Sequence, residues 1–351
     1  MDKSNPHIIG IENNARAALQ KLDSIPNLES RTLFVVDDVN KMIGALTDGD
    51  IRRGLLSGLE ISDSLHRYIN KNFKYINEAQ AVNPAVIKGF KNKGIKLIPV
   101  IDEHGFVARI IDFDRVNTIL PLSALLMAGG RGERLRPLTD NTPKPMLKVG
   151  DKPILEINID RLISYGISDF YISIKYLGHI IKDYFGDGSS KGISITYIEE
   201  DEPLGTIGAL SKICPKNDNM LVMNSDVLTN IDFEDFYNEF VISESLMMVA
   251  SVPYKVKIPY GIMKLNEHGS IESLIEKPTY NYYSNAGIYM LKSKLQQWIP
   301  QNTPFNATDL MDVLIQQSQS IKHFPILNYW LDIGKHEDFL KAQSDIKYIK
   351  F

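Results

Sequence analysis

The densest chemistry in this chain lies in the stretch "LLMAGGRGERLRPLTDNTPKPML", residues 125–147. An apolar run suited to a buried strand delivers Gly129, Gly130 and Gly132 to a turn. Glycines permit positive φ and let a phosphate approach backbone N–H groups closely. Pro137, Pro143 and Pro145 then keep the chain from continuing directly as a helix. Residues 131–148 carry three arginines and two lysines against two acids. An extended loop wrapped around a polyanion explains this pattern; a glycine turn followed by a solvated charged loop is the plain alternative. Two named phosphate loops are excluded. No Gly-Lys-Ser/Thr follows at Walker A spacing, and Leu135 stands where a dinucleotide fingerprint needs its third glycine.

The pairing of "GGRGERLRPLT" with "PKPML" resembles the signature of the nucleoside-diphosphate-sugar pyrophosphorylases, the sugar-1-phosphate nucleotidyltransferases. The resemblance covers residues 123–351 and continues in the family's order. It implies that Ala128, Gly129, Gly130, Gly132 and Arg134 hold a triphosphate and that Lys144 contacts the reacting phosphates. "EPLGTIGAL", with Gly205 and Thr206, matches a base-contacting loop. "MNSDVL" supplies Asp226 and "WLDIG" supplies Asp332, the family's two metal-binding aspartates. Tyr260 and Gly261 in "PYGIM", Glu276 and Lys277 in "EKP", and Asn285 in "NAGIYML" correspond to sugar-facing or sugar-phosphate-binding elements. Ser225 departs from the family's usual glycine; its small side chain should preserve the turn.

The implied reaction is a direct displacement. A phosphate oxygen of a sugar 1-phosphate attacks the α-phosphorus of a nucleoside triphosphate, and pyrophosphate leaves. Two carboxylates that each follow a strand-like run, together with phosphate oxygens, suit Mg²⁺. No side-chain nucleophile is required. Glu200, five positions before Gly205, stands where the family reads the base edge. A carboxylate only accepts, and guanine offers adjacent N1–H and N2–H₂ donors. GTP is therefore the expected donor, with cytidylyl, uridylyl or thymidylyl transfer as the alternative within the family. An acidic loop with no base preference is the plain reading of Glu199 to Glu202. The acceptor sugar, a hexose, hexosamine or heptose, is not legible. A non-catalytic nucleotide sensor is the competing class, against which the four residues Arg134, Lys144, Asp226 and Asp332 argue.

The elements that must position these groups alternate strand and helix from residue 123 onward, as in a Rossmann-like, mostly parallel sheet with helices on both faces. Ligands of such sheets bind at the carboxyl ends of the strands. Residues 1–120 form a smaller α/β half, and residues 121–351 the catalytic half, with Pro121 ending the connection. Inside the first half, "LFVVDDVNKMIGALTDGDI" aligns with "LIPVIDEHGFVARIIDFDRV", placing Thr47 against Ile111 and Asp50 against Asp114; "AQAVNPAVIKGFKNKG" reads as a helix. Gly44, Thr47 and Asp50 resemble the ligand pattern of a cystathionine-β-synthase (CBS) domain pair, a regulatory module that often binds adenine nucleotides. Ala108 and Ile111 break that pattern in the second copy. The first half is thus expected either to sense a nucleotide or to assemble a homo-oligomer.

Bulk composition narrows the classes. The chain has 351 residues, a net charge of −4 and no long basic block, so no nucleic-acid groove is expected. A single cysteine, Cys214, leaves no internal disulfide, and the seven histidines lack metal-ligand spacing. No apolar window reaches membrane-span length and no signal-peptide pattern opens the chain, so a cytoplasmic protein is expected.

Overall fold

A computed structural model describes residues 5–25, 31–78, 84–114, 116 and 118–349. The first part of the helix expected over residues 79–94 lies outside the described residues, as does Arg115. The chain divides into two compact units, Met1–Leu120 with Ser164–Gly166, and Pro121–Ile163 with Ile167–Phe351.

The first unit repeats one arrangement. Strand β1 (Ile8–Gly10) leads through α1 (Ala15–Ser24) to β2 (Thr32–Val36) and β3 (Met42–Thr47), followed by α2 (Asp48–Leu56). Strand β4 (Ile76–Asn77) leads through α3 (Pro84–Asn92) to β5 (Leu97–Ile101) and β6 (Val107–Asp112). Each set makes a three-stranded sheet whose first pair is parallel and whose second is antiparallel. Both copies carry a register break at the same place, between Val35 and Val36 and between Val100 and Ile101. Asp37 and Asp102 close the two hairpins identically, each accepting from the backbone N–H groups two and four residues on.

These landmarks correct the sequence alignment by one residue. Thr32 pairs with Thr47 as Leu97 pairs with Asp112, so Thr47 corresponds to Asp112 and not to Ile111. Gly44 then corresponds to Arg109, and Asp50 to Arg115 rather than to Asp114. Thr47 and Asp50 form a capping box at the start of α2. The Thr47 hydroxyl donates to Asp50 Oδ2 at 2.6 Å, and Arg53 pairs with the other oxygen. Asp112 caps the next turn in the second copy through the Asp114 N–H.

In the second unit, β7 (Leu122–Met127) leads to two short strands, β8 (Lys148–Val149) and β9 (Lys152–Pro153), and then to α4 (Ile154–Ser164). β10 (Asp169–Ile174), α5 (Gly178–Phe185), β11 (Ser194–Glu199) and β12 (Asn219–Asn224) follow. Next come β13 (Val227–Thr229), α6 (Phe233–Ile242), β14 (Met247–Lys257), β15 (Ile262–Leu265), β16 (Ile271–Ile275) and β17 (Thr279–Lys292). α7 (Ala307–Gln316), β18 (Ile321–Pro325), β19 (Trp330–Asp332) and α8 (His336–Asp345) complete the unit.

Seven strands form the main sheet in the order β11-β10-β7-β12-β17-β14-β18. Only β17 opposes the rest. β7, β10 and β12 are buried almost throughout because helices cover both faces, which is why they read as unbroken apolar runs. On one face Leu310 and Leu314 of α7 join Leu125, Val222 and Tyr289 in a single cluster. On the other, Phe236 of α6 packs on Phe324 of β18 with ring centroids 5.1 Å apart. Deep burial holds the strand ends in fixed register, and those ends carry the groups described next. No helix among the described residues is long and apolar enough to cross a membrane.

Candidate active site

The two aspartates meet because β13 and β19 pair antiparallel, with Val227 opposite Asp332. Asp226 immediately precedes that ladder, and its carbonyl accepts from the Ile333 N–H at 3.1 Å. Ser225 fastens the same segment to β7, its N–H and hydroxyl both donating to the Met127 carbonyl. Asp226 is thereby held at the end of β12 beside the glycine turn.

Lys144 completes the cluster. It begins the 3₁₀ turn Lys144–Met146, is 9% exposed, and pairs with Asp226 Oδ2. Gly132 makes room for it. Gly132 adopts φ +62°, and a Cβ there would lie 2.9 Å from Lys144 Cβ and 3.0 Å from Thr139 Cγ2. Gly129 and Gly130 do not adopt positive φ. A Cβ on Gly130 would meet nothing within 4 Å. Openness toward a ligand, not backbone strain, is what that position offers. Arg134 lies near Asp332, since a Cβ on Gly334 would lie 3.8 Å from Arg134 Nη1 and 3.7 Å from Asp332 Oδ2.

Burial and the Asp226 carboxylate push the Asp332 carboxyl above the usual carboxylate range, and Lys144 and Arg134 pull it partly back. The other Asp226 oxygen, Oδ1, is buried and has no hydrogen-bond partner among the described residues. An orphaned buried acceptor beside a second, partly desolvated carboxylate is the donor set a hard divalent cation needs. Asp226 and Asp332 are the residues that would hold it. No group of three or more His, Cys, Asp or Glu suited to a metal occurs among the described residues.

A cavity of about 720 Å³ opens next to this cluster. Gly129, Gly130, Lys144, Glu200, Gly205, Thr206 and Asp226 all line it, whereas Gly132, Arg134 and Asp332 do not. Ala128 lies buried behind them, its N–H donating to the Ser173 carbonyl. Gly205 has φ +74°, with a Cβ position 2.7 Å from the Phe305 carbonyl, and the Thr206 hydroxyl accepts from the Ala307 N–H at the start of α7. Sequence reasoning missed Arg131, Ser173, Lys175, Tyr176 and Asn224 on the same wall. Arg131 stacks over Tyr176, whose hydroxyl ties down the Thr139 and Asp140 carbonyls. The signal for Tyr176 was its place just past a strand end; Ser173 was masked by the apolar residues around it.

The sugar-facing set is not brought to this cavity. Tyr260, Gly261, Glu276 and Lys277 cluster at the base of the exposed β15–β16 hairpin, where a Cβ on Gly261 would lie 3.0 Å from Glu276 Oε2. Lys277 adopts φ +43° and points to solvent. Asn285 donates to the Tyr289 hydroxyl at 2.9 Å and lines a second depression with Ser251, Tyr283 and His323. The pleat of β17 separates it from Ala286, whose carbonyl accepts from Trp330.

The raised Asp332 pKa has a testable sign. Such a group favours the folded state below its unfolded pKa, and that contribution is lost as pH rises through the folded pKa. Asp332→Asn should therefore raise the melting temperature of the metal-free protein at neutral pH but not at acid pH. Calorimetric melts across pH check this; a lower melting temperature at neutral pH would contradict it.

Residues 123–348 match the family model described as nucleotidyl transferase. The mannose-1-phosphate guanylyltransferase of Mycobacterium tuberculosis is 31% identical over 238 residues, which cover 64% of this chain and 64% of that protein. The mannose-1-phosphate guanylyltransferase catalytic subunit beta of Drosophila melanogaster is 31% identical over 227 residues, 62% of this chain and 60% of its own length. The chain thus spans less than two thirds of these curated relatives. Among solved structures, HddC from Yersinia pseudotuberculosis complexed with GMP-PN aligns with a TM-score of 0.50 and 26% identity, covering 64% of this chain and 99% of that one. With a matching model over most of its length and the glycine loop, lysine and paired aspartates gathered at one sheet end, the chain belongs to the nucleotidyl transferase family.

Proposed function

We propose that this protein transfers GMP from GTP to a sugar 1-phosphate, releasing pyrophosphate. The observation that carries this reading is the convergence of the Gly129–Gly130 turn, Lys144, Asp226 and Glu200 on one cavity. The relatives named as mannose-1-phosphate guanylyltransferases, and a structural neighbour solved with GMP-PN, support guanine as the base. They also make mannose 1-phosphate the first acceptor to try.

In the proposed reaction a phosphate oxygen of the acceptor forms a bond to the α-phosphorus. The bond from that phosphorus to the bridging oxygen of the β-phosphate breaks, and its electrons leave with pyrophosphate. The acceptor is already ionised, so no side chain needs to remove a proton. The protein supplies position and positive charge. Backbone at Gly129 and Gly130 admits the phosphates, and Lys144 exchanges its contact with Asp226 for one with the reacting phosphates. Arg134, beside Asp332, faces the leaving pyrophosphate. Asp226 and Asp332 would hold Mg²⁺, which when bound adds charge neutralisation at the phosphates. Arg131 and Lys175 line the same wall and add to its positive field.

For the first unit we propose a CBS-type pair with one adenine-nucleotide position, at Gly44, Thr47 and Asp50. Its support is the repeated topology and a threonine–aspartate couple at a helix start. Gly44 is close-packed, with a Cβ position 3.0 Å from Ile69 Cβ, and Asp112 replaces the threonine in the other copy. One site is therefore expected, not two.

Incubation with GTP, Mg²⁺ and mannose 1-phosphate should release pyrophosphate, and Lys144→Ala or Asp226→Asn should each slow turnover by about a hundredfold or more. Faster product formation from UTP, CTP or dTTP would replace guanine with another base; unchanged rates in both variants would remove the proposed site. Calorimetric titration with AMP, ADP and ATP should show binding that Asp50→Ala abolishes. No heat at millimolar ligand would leave the first unit an assembly element.

A further inference from the structure

Ser173 sits near the end of β10, 1% exposed, in a run otherwise made of Tyr171, Ile172 and Ile174. A buried hydroxyl in a central strand needs a partner. Here it donates to Glu200 Oε1. The Leu204 N–H donates to the other oxygen, Oε2, at 3.0 Å. Glu200 lines the nucleotide cavity, and a Cβ on Gly129 would lie 3.6 Å from its Oε1. The carboxylate is thus gripped at both oxygens and laid against the glycine turn.

A carboxylate has about four acceptor positions. Ser173 and Leu204 occupy one on each oxygen, which leaves one on each for a ligand. Two parallel acceptors in a fixed plane match two adjacent N–H donors, as on the N1 and N2 edge of guanine, and do not match the single ring N–H of uracil or thymine. We infer that Ser173 is a positioning residue for base selection: its hydroxyl fixes the plane of Glu200 so that the carboxylate accepts two hydrogen bonds from the base. Ser173 lines the same cavity, and its proposed effect on the base runs through Glu200. This rests on the guanine reading of Glu200 given above.

The test is titration calorimetry of the full chain with Mg²⁺ and either GTP or ITP, which lacks the exocyclic amine. The unaltered protein should bind GTP about tenfold or more tightly than ITP. Ser173→Ala should bring the two affinities to within roughly threefold of each other, since a free carboxylate no longer enforces the second hydrogen bond. Ser173→Thr, which keeps the hydroxyl, should retain the preference. Ser173→Cys, close in size but a weak donor, should lose it, and serves if the alanine variant does not fold. Added to Glu200→Gln, Ser173→Ala should change the GTP/ITP ratio no further, because it acts through Glu200. A Ser173→Ala protein that keeps the original ratio, or weakens both ligands equally, overturns the positioning role while leaving guanine recognition standing. An unaltered protein that binds ITP as well as GTP, or UTP better than either, overturns the guanine reading and this inference with it.

Discussion

Two carboxylates are pressed together at one end of a sheet, and a single buried lysine keeps the arrangement tolerable. Lys144 pairs with Asp226, and burial together with the nearby Asp226 charge raises the pKa of Asp332. The surrounding fold serves that juxtaposition. Gly132 yields the space Lys144 occupies, Ser225 pins the Asp226 segment to β7, and the β13–β19 ladder delivers Asp332. For the triphosphate proposed above, this charge distribution is set out in advance apart from the Lys144–Asp226 contact, which has to exchange.

Elsewhere around the cavity the cations pair more loosely. Arg131 lies on the Tyr176 ring with Glu133 3.8 Å away, and Lys175 reaches the Asp201 carbonyl and, at 3.6 Å, the Glu202 carboxylate. These long side chains are tethered along the rim and exposed at their tips. The buried wall fixes geometry, while the rim supplies field and can follow the ligand. Glu200 joins the two, its carboxylate bound to Ser173 and Leu204 yet facing the same space as the rim cations.

How much of this was legible depended on whether a signal was contiguous. The glycine–arginine–proline loop declared itself because its residues are adjacent, and the alternation of strands and helices after residue 123 gave the layered architecture. The order of Asp226 and Asp332, and the expectation that they converge, came from the family resemblance and the strand-like run before each; the two-stranded ladder that joins them did not, because no local pattern encodes it. Ser173 was invisible in a strand buried on both faces. The same cause misaligned the repeat. β2 and β5 are buried almost throughout, so no polar alternation fixes their register against one another, and only the turn aspartates Asp37 and Asp102 mark the correct one. Asn285 lines a neighbouring depression, because a motif gives a position along β17 but not how far along the sheet face a cavity extends.

The ladder between Val227 and Asp332 also sets when the site comes into being. Asp226, Lys144 and the glycine turn emerge early from the ribosome relative to β19, the strand that supplies the last carboxylate. Until Trp330–Asp332 is made and docked, a nascent chain lacks half of its acid couple. Such long-separation pairing is slow to form, because the chain entropy of closing the loop is lost before the contact repays it. The acid couple is therefore completed late in the synthesis of this unit.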